Sequence, residues 1–255
     1  MEPADWIPLL QELADLADAT SMRYFRSADL PIDTKPDRSL VTKADLEVEG
    51  QVRDSLAKTH PELGVFGEEH GEQPGAGGTR LIIDPIDATA NFARGLPVFA
   101  TLLAIEHDGE ILAGLVSAPA LHQRWHAARG AGAWCGDRRL RVSRVERKND
   151  AQIFHGSLTG GEAVPMTAKI PTLLEGSWRQ RGFGDFYQHM LVAEGCGEIA
   201  VDPIVAPWDV APLLVIVEEA GGRVTNLLGK RTIYGGSLLS SNGKLHDEAL
   251  AVFTS

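Results

Sequence analysis

Residues 81–92, which read LIIDPIDATANF, constrain the fold of this chain more than any other segment. The apolar run at their start is typical of a buried strand. Asp84 and Asp87 follow directly, and Pro85 between them fixes the backbone of the turn. The segment therefore predicts a buried strand that aims two carboxylates at one point.

Carboxylates that converge in this way can bind a divalent metal ion. Hard cations such as Mg²⁺ prefer oxygen ligands, and a few carboxylates normally hold them together with waters and substrate phosphate oxygens. An Asp-x-x-Asp turn can also serve only to cap local structure. Two further acids favour the metal site, because Glu68 ends the preceding predicted strand and Asp209 opens an apolar helix.

Composition excludes several classes of protein. The 255 residues are 44% hydrophobic, and 24 Lys and Arg against 35 Asp and Glu give a net charge of −11, which argues against a nucleic acid partner. Cys135 and Cys196 lack metal-ligand spacing, so neither a zinc ribbon nor a disulfide scaffold is expected. The N-terminus has no signal-peptide pattern and no apolar run has the length of a membrane span, so we expect no membrane partner and a cytoplasmic location.

The N-terminal part, residues 1–148, is expected to combine helices with mainly antiparallel strands. Apolar residues recur at helical spacing over residues 5–26, with Asp5 as a predicted N-cap, and over residues 44–59. A mobile loop over residues 30–40 should join these two helices, and residues 71–79 should form a flexible connector. Strands are expected at residues 63–66, 80–84, 98–106, 110–117 and 125–128.

The C-terminal part, residues 149–255, alternates between strand and helix patterns. Strands are expected at residues 151–154, 197–201 and near 223 and 237, and helices at residues 185–194 and 209–220. We therefore predict a layered chain, α+β and then α/β, with a soft boundary near residue 148 inside one compact catalytic unit.

The acidic motifs resemble those of the inositol monophosphatase superfamily of metal-dependent phosphatases. They are Gly67-Glu68-Glu69, Asp84-Pro85-Ile86-Asp87-Ala88-Thr89 and Trp208-Asp209. The resemblance extends over about residues 5–254 and implies the layered αβαβα fold of the sugar phosphatases. It also implies two or three Mg²⁺ ions, a small-molecule phosphate ester as substrate, and a homodimer.

The resemblance assigns the metal ligands as well. Glu68, Asp84 and the Ile86 carbonyl would hold the ion that lowers the pKa of the attacking water. Asp84, Asp87 and Asp209 would hold the ion that faces the ester oxygen, so Asp84 would bridge the two ions. Glu68 would also contact a weaker third ion through its waters.

The same resemblance predicts three catalytic residues, Thr89, Asp45 and Glu68. Thr89 would orient the attacking water and Asp45 would accept its hydroxyl proton, because residues 40–45 read LVTKAD and fit the family pattern Leu-Val-Thr-x-x-Asp. Backbone N–H groups of Ala88 and Thr89 would bind phosphate oxygens. Ala88 departs from the usual family Gly, and we expect catalysis to survive if this position has a negative φ.

Residues 181–187, RGFGDFY, resemble the histidinol-phosphatase members, which have Gly-Asp-Phe or Gly-Asp-Trp where inositol phosphatases have small uncharged residues. Gly184 and Asp185 are therefore expected to bind substrate, with Asp185 pairing with the ammonium group of histidinol phosphate. Asp202 and Asp209 would also contact the substrate, Asp202 at the position of a substrate-contacting Glu in inositol monophosphatases. Asp185 and Asp202 can instead be caps of a helix and a turn.

The leading hypothesis is Mg²⁺-dependent hydrolysis of L-histidinol phosphate in histidine biosynthesis. An inositol-1-phosphate phosphatase or a broad sugar phosphatase of the same fold is the alternative, and a catalytically silent, metal-stabilised interaction module is a more distant one. The eight histidines lack zinc-site spacing and are expected to be structural or solvated, and Lys35 is expected to be solvated. Ser240 lacks a Gly-x-Ser-x-Gly elbow, which argues against a serine hydrolase.

Overall fold

A computed structural model describes residues 2–27, 30–35, 40–158 and 166–254 of the protein. Helix α1 (Ile7–Tyr24) packs against helix α2 (Lys43–Thr59), and their apolar faces cover one side of a large sheet. A short antiparallel pair, β1 (Ile32–Thr34) and β2 (Leu40–Thr42), stands between these helices, where the sequence predicted a mobile loop.

The prediction that Asp5 caps helix α1 was wrong. Asp5 lies inside a 3-10 helix, Pro3–Trp6, that precedes α1, and its carboxylate accepts a hydrogen bond of 2.8 Å from the Glu2 N–H. Pro3 and Pro8 stand in the first turns of these two helices, where proline has no N–H to lose to the helix ladder.

The larger sheet holds eight strands in the spatial order β10-β9-β8-β7-β6-β5-β3-β4. Neighbouring strands are antiparallel except β3 and β5, which are parallel. The predicted connector over residues 71–79 contains strand β4, which pairs with β3. The strands are β3 (Gly64–Gly67), β4 (Gly71–Gln73), β5 (Thr79–Asp87), β6 (Ala100–His107), β7 (Glu110–Ala118), β8 (Gln123–Ala128), β9 (Gly132–Cys135) and β10 (Arg138–Arg139).

The β6–β7 hairpin turns at Asp108 and Gly109, as the Asp-Gly pair predicts. Their φ values are +48° and +86°. Positive φ at both central residues is the geometry of a type I′ turn, whose twist matches that of the flanking strands.

The smaller sheet follows in the chain, with the spatial order β12-β11-β13-β15-β14. Strand β11 is parallel to both β12 and β13, so these three strands end at the same edge of the sheet. The strands are β11 (Gln152–His155), β12 (Arg179–Gly182), β13 (Ile199–Asp202), β14 (Arg223–Thr225) and β15 (Leu238–Ser241).

Helices α5 (Asp185–Ala193) and α6 (Pro207–Glu219) form the layer between the two sheets. Every residue of α6 from Val210 to Val217 is buried, because both sides of this helix face a sheet. A Cβ on Gly114 of β7 would lie 2.7 Å from Val215, so glycine is what lets α6 approach the larger sheet.

Helices α4 (Ile170–Leu174) and α7 (His246–Thr254) cover the outer face of the smaller sheet. The order of layers, α1 and α2, larger sheet, α5 and α6, smaller sheet, α4 and α7, confirms the predicted αβαβα fold. The boundary near residue 148 stays a prediction. Within the described ranges, no helix is long and apolar enough to cross a bilayer.

Candidate active site

Two parallel strands deliver the first acidic side chains to one edge of the larger sheet. Glu68 follows β3, and its N–H donates to the Ile83 carbonyl of β5 at 3.2 Å. The pairing of β5 with β6 changes register between Asp84 and Asp87, so the strand bulges at these residues. The Ile86 N–H donates to Asp84 Oδ1 at 3.0 Å, which fixes the Asp84 side chain in the bulge.

Asp209 reaches the same place from the first turn of α6. Its Oδ2 accepts a hydrogen bond of 2.8 Å from the Ala206 N–H, so the helix terminus fixes this side chain. One carboxylate oxygen from each of Asp84, Asp87 and Asp209 lies within 4.8 Å of the other two. The sequence prediction that these three acids converge is therefore correct.

The three carboxylates repel one another in a buried setting. Burial, followed by the charge of Glu68, raises the pKa of Asp84 well above its usual range. Burial and the charge of Asp185 do the same to the pKa of Asp87, and burial raises the pKa of Asp209 to about 7. Such a set of oxygen donors, which is unfavourable as free anions, fits a hard divalent cation.

The prediction that Lys35 is solvated was wrong. Lys35 is part of this acidic edge. Its ammonium group donates hydrogen bonds of 2.7 Å to Glu68 and to Glu69. These two bonds outweigh partial burial and raise the pKa of Lys35 above its usual range. Burial raises the pKa of Glu69 to about 7.

Thr89 lies beside Asp45, as the motif predicts. Thr89 Oγ1 is 3.3 Å from Asp45 Oδ1 and 3.0 Å from the Ile86 carbonyl oxygen. Asp45 is fully buried in the first turn of α2, where the Thr42 N–H and hydroxyl both donate to its Oδ2. Burial raises the pKa of Asp45 to about 6.

Ala88 has a positive φ, so the condition under which we expected catalysis to survive, a negative φ, is not met. It adopts φ +64° and ψ +46°, the left-handed region, immediately before the short helix α3 (Thr89–Ala93). The usual family glycine was the signal that could have predicted this conformation. The N–H of Thr89 stands at the start of α3, where a helix provides no internal acceptor.

We expect Ala88→Gly to raise the free energy of unfolding by about 0.5–1 kcal/mol. Relief of left-handed strain, about 1–2 kcal/mol, exceeds the extra unfolded-state entropy of glycine. Ala90→Gly in the same short helix is the matched control and should lower it by about 0.5–1 kcal/mol. Denaturant titration at fixed metal concentration measures both free energies. An equal loss of stability in both variants would contradict the proposal that the left-handed backbone of Ala88 is strained.

The opposite wall comes from the start of α5 and the end of β13. Gly184 and Asp185 have φ values of +73° and +52°. At the start of the helix, Gly184 therefore has a backbone conformation that glycine adopts readily, and Asp185 has one that is strained for a residue with a side chain. The Phe186 N–H then donates to Asp87 Oδ2 at 2.8 Å, which joins this wall to the three metal-ligand candidates. Neighbouring protein atoms, which displace water from the carboxyl group, and the charge of Asp202 raise the pKa of Asp185 to about 6.

These walls line a small pocket that is open to solvent. Both acidic and apolar side chains line it. Its lining residues are Asp87, Asp185, Phe186, His189, Asp202, Ile204, Val205, Asp209, Leu213 and Leu238.

Sequence reasoning missed several of these residues. His189 was expected to be structural or solvated, yet it lines the pocket, and its Nε2 is 3.0 Å from Asp202 Oδ2. Its position four residues after Asp185, on the same face of α5, was a signal that could have found it. Ile204 and Val205 carried no comparable signal, because they lie in a connection between β13 and α6.

Comparison with known proteins adds a family and its relatives. The model of the inositol monophosphatase family matches residues 3–254. A histidinol-phosphatase of Mycobacterium tuberculosis is 45% identical over 251 residues, with 96% of each chain covered. A histidinol-phosphatase of Streptomyces coelicolor is 42% identical over 255 residues, again with 96% of each chain covered.

Other relatives are named for different activities. A fructose-1,6-bisphosphatase/inositol-1-monophosphatase of Thermotoga maritima is 35% identical over 219 residues, which cover 84% of this chain and 82% of the relative. Among solved structures, the extragenic suppressor protein suhB of Bartonella henselae superposes with a TM-score of 0.90 at 28% identity, with 98% of both chains covered. An IMPase of Thermotoga maritima gives a TM-score of 0.87 at 30% identity, covering 98% of this chain and 97% of that one.

Proposed function

The chain belongs to the inositol monophosphatase family, and from this premise we propose that it hydrolyses L-histidinol phosphate to L-histidinol and inorganic phosphate, with Mg²⁺ as its metal. The protein is a phosphatase of a metal-dependent family. The observation that carries the choice of substrate is the pair of carboxylates, Asp185 and Asp202, that line the pocket beside the three metal-ligand candidates.

The substrate and the pocket have complementary charges. L-histidinol phosphate has an anionic phosphate at one end and an ammonium group and an imidazole at the other. With its phosphate at the metal site, its cationic end would meet Asp185 and Asp202, and its apolar part would pack on Ile204 and Val205. Charge-assisted hydrogen bonds to carboxylates favour such a ligand over an uncharged polyol. The high identity to two histidinol-phosphatases supports the same choice.

We assign the predicted ligands to the metal ions. Asp84, Asp87 and Asp209 would hold one Mg²⁺, and Glu68, Asp84 and the Ile86 carbonyl a second, with a third ion near Glu68 as a further prediction. When bound, the ions neutralise charge on the phosphate and lower the pKa of the attacking water. Lys35 would have to release Glu68 when that carboxylate takes up its ion.

Thr89 and Asp45 are proposed to orient the attacking water. If the Thr89 hydroxyl donates its proton to Asp45 Oδ1, the lone pairs on Thr89 Oγ1 are free to accept a hydrogen bond from the water. Asp45 keeps its place because Thr42 holds its other oxygen with two hydrogen bonds. The N–H groups of Ala88 and Thr89, at the start of α3, would bind phosphate oxygens.

We expect Thr89→Ala to lower kcat by about 100-fold with little change in KM, because the hydroxyl acts on the water and not on the bound ester. Thr89→Ser keeps the hydroxyl and is the matched control, with kcat expected within about 5-fold of wild type. Steady-state phosphate release at saturating metal measures both. A Thr89→Ala enzyme with normal kcat would show that this hydroxyl only caps the Ile86 carbonyl.

Substrate choice is tested with Asp185→Asn and two substrates, L-histidinol phosphate and glycerol 2-phosphate, which carries no positive charge. Loss of the carboxylate charge should lower kcat/KM for the cationic substrate by about 10–200-fold, the equivalent of about 1.5–3 kcal/mol. The kcat/KM for glycerol 2-phosphate should change little, and Asp202→Asn should show a smaller shift in the same direction. An equal loss for both substrates would mean that Asp185 is structural.

The alternative is an inositol-1-phosphate phosphatase or a broad sugar phosphatase. Relatives that carry such names, at 35% identity and below, support it. Rates of phosphate release by the wild type from L-histidinol phosphate, inositol 1-phosphate and fructose 1,6-bisphosphate distinguish the candidates. A silent interaction module is disfavoured, because Thr89, Asp45 and all four acidic ligand candidates are present. The homodimer and the cytoplasmic location stay predictions.

A further inference from the structure

Buried polar side chains hold Asp202 from behind. Gln188 Nε2 donates to Asp202 Oδ2 at 2.5 Å, and His189 Nε2 lies 3.0 Å from the same oxygen. His189 Nδ1 lies 2.8 Å from Ser240 Oγ on β15. Gln188, His189 and Ser240 are each 0% exposed, so the carboxylate is fixed from the interior of the protein.

The chemistry of the partners gives these hydrogen bonds a direction. An ionised carboxylate only accepts, so His189 Nε2 donates to Asp202. In the neutral imidazole, Nδ1 then accepts from the Ser240 hydroxyl. Ser, His and Asp also form the triad of serine hydrolases, but Ser240 is fully buried and cannot reach a substrate as a nucleophile. The hydrogen bonds from Ser240 through His189 therefore end at Asp202, and they fix the position of that carboxylate.

The second oxygen of Asp202 remains available to a ligand. A Cβ on Gly156 would lie 2.7 Å from Oδ1, so this oxygen lies beside a position where only glycine fits. In the parts of the chain that the structure describes, no hydrogen bond to Oδ1 is found, and Asp202 lines the pocket. Hydrogen bonds thus hold Oδ2, while Oδ1 has no hydrogen-bond partner among the described residues.

Gln188 gives independent evidence that this arrangement serves more than packing. Its Oε1 is buried without a hydrogen-bond partner in the described structure, while its Nε2 donates to Asp202 and to the Val201 carbonyl. A buried unpaired acceptor costs about 1–3 kcal/mol. The two hydrogen bonds from Nε2 offset this cost, and one of them ends on Asp202.

We propose that His189 and Gln188 are positioning residues that fix the Asp202 carboxylate through Oδ2, so that this carboxylate binds the cationic end of the substrate. This inference rests on the proposed function. An acceptor that is already fixed loses little rotamer freedom when a ligand binds, so more of the hydrogen-bond energy appears as affinity. Asp185 differs, since in the described residues its side chain accepts no hydrogen bond and its position comes from backbone geometry.

The test compares His189→Leu with His189→Gln, on L-histidinol phosphate and on glycerol 2-phosphate. His189→Leu removes the donor, and we expect KM for L-histidinol phosphate to rise about 10-fold or more with kcat within about 3-fold of wild type. Both constants for glycerol 2-phosphate should stay within about 2-fold. His189→Gln keeps an N–H near the position of Nε2 and should restore KM to within about 3-fold of wild type.

Gln188→Met provides a second route if His189→Leu does not fold. Methionine has a similar volume but no donor, so KM for the cationic substrate should rise by about 3-fold to 10-fold while glycerol 2-phosphate kinetics hold. This variant also removes the unpaired Oε1, and its melting temperature should not fall. A variant that folds less well and loses activity equally on both substrates would overturn the positioning role.

The outcomes separate the two proposals. A wild type without preference for L-histidinol phosphate contradicts the proposed function, and the cationic ligand of Asp202 fails with it. The wild type can instead prefer L-histidinol phosphate while the His189→Leu and Gln188→Met variants keep that preference undiminished. This result contradicts only the positioning role.

Discussion

Chelation of divalent metal with EDTA is expected to abolish phosphate release, by about 1,000-fold or more, and excess Mg²⁺ should restore it. Asp84, Asp87 and Asp209 place three oxygens within 4.8 Å of one another, and no side-chain cation of the described structure pairs with any of the three. Without metal, only protons would offset the charge of these carboxylates, and nothing would neutralise the phosphate. Neutralisation of that charge is the main requirement of phosphoryl transfer. EDTA already saturated with Mg²⁺ is the control, and full activity in free EDTA would contradict the two-metal assignment.

Stability should report the same site through its pH dependence. The pKa of each of these three carboxyl groups is raised in the folded protein, so the metal-free folded state binds more protons than the unfolded chain. Its stability should therefore fall as pH rises through about 7, the pKa of Asp209, and Glu69, whose pKa is also raised to about 7, adds to this fall. The melting temperature of the chelated enzyme should be lower at pH 8 than at pH 6.5, and Mg²⁺ should remove most of the difference.

The pH range is chosen to separate this effect from the buried His246. Burial lowers the pKa of His246 to about 4, so most of its contribution changes between about pH 4 and the unfolded value near 6.5, and the small remainder above it raises stability with pH, opposite to the expected fall. A chelated enzyme that is as stable at pH 8 as at pH 6.5 would show that the acidic side chains do not repel one another as the structure indicates.

Asp87→Asn is the second change, after chelation of the metal, for which we expect a large effect. It should lower kcat by about 100-fold or more, at least about 2.7 kcal/mol of transition-state stabilisation, because a charged metal ligand becomes a neutral one. Folding should survive, since the asparagine oxygen can still accept from the Phe186 N–H and one repelling charge is removed. Steady-state kinetics over a range of Mg²⁺ concentrations measures the loss.

Asp108→Asn is the matched control, because it makes the same change at an exposed turn where Asn tolerates a positive φ. Its kcat should equal that of wild type. If Asp87→Asn also turned over normally, Asp87 would be a turn residue, and the family assignment of its role would not hold for this chain.

Local sequence was sufficient for much of the fold and for the acidic centre. The strand β5 with its two carboxylates, the Asp-Gly hairpin turn and the start of α2 at Thr42 and Asp45 each depend on residues within a few positions of one another. Such features follow from hydrophobic spacing and backbone preference alone. The family motifs then placed Glu68 and Asp209 in the same centre, although their roles as ligands stay predictions.

Contacts between distant residues were decided only by the tertiary structure. Lys35 on Glu68, the Phe186 N–H on Asp87 and His189 on Asp202 depend on how the β1–β2 pair, α5 and β13 pack together. No spacing along the chain encodes which polar groups will share a buried space, because burial and the local dielectric arise only when the layers assemble. The left-handed conformation of Ala88 does not follow from the alanine itself, which does not prefer this geometry.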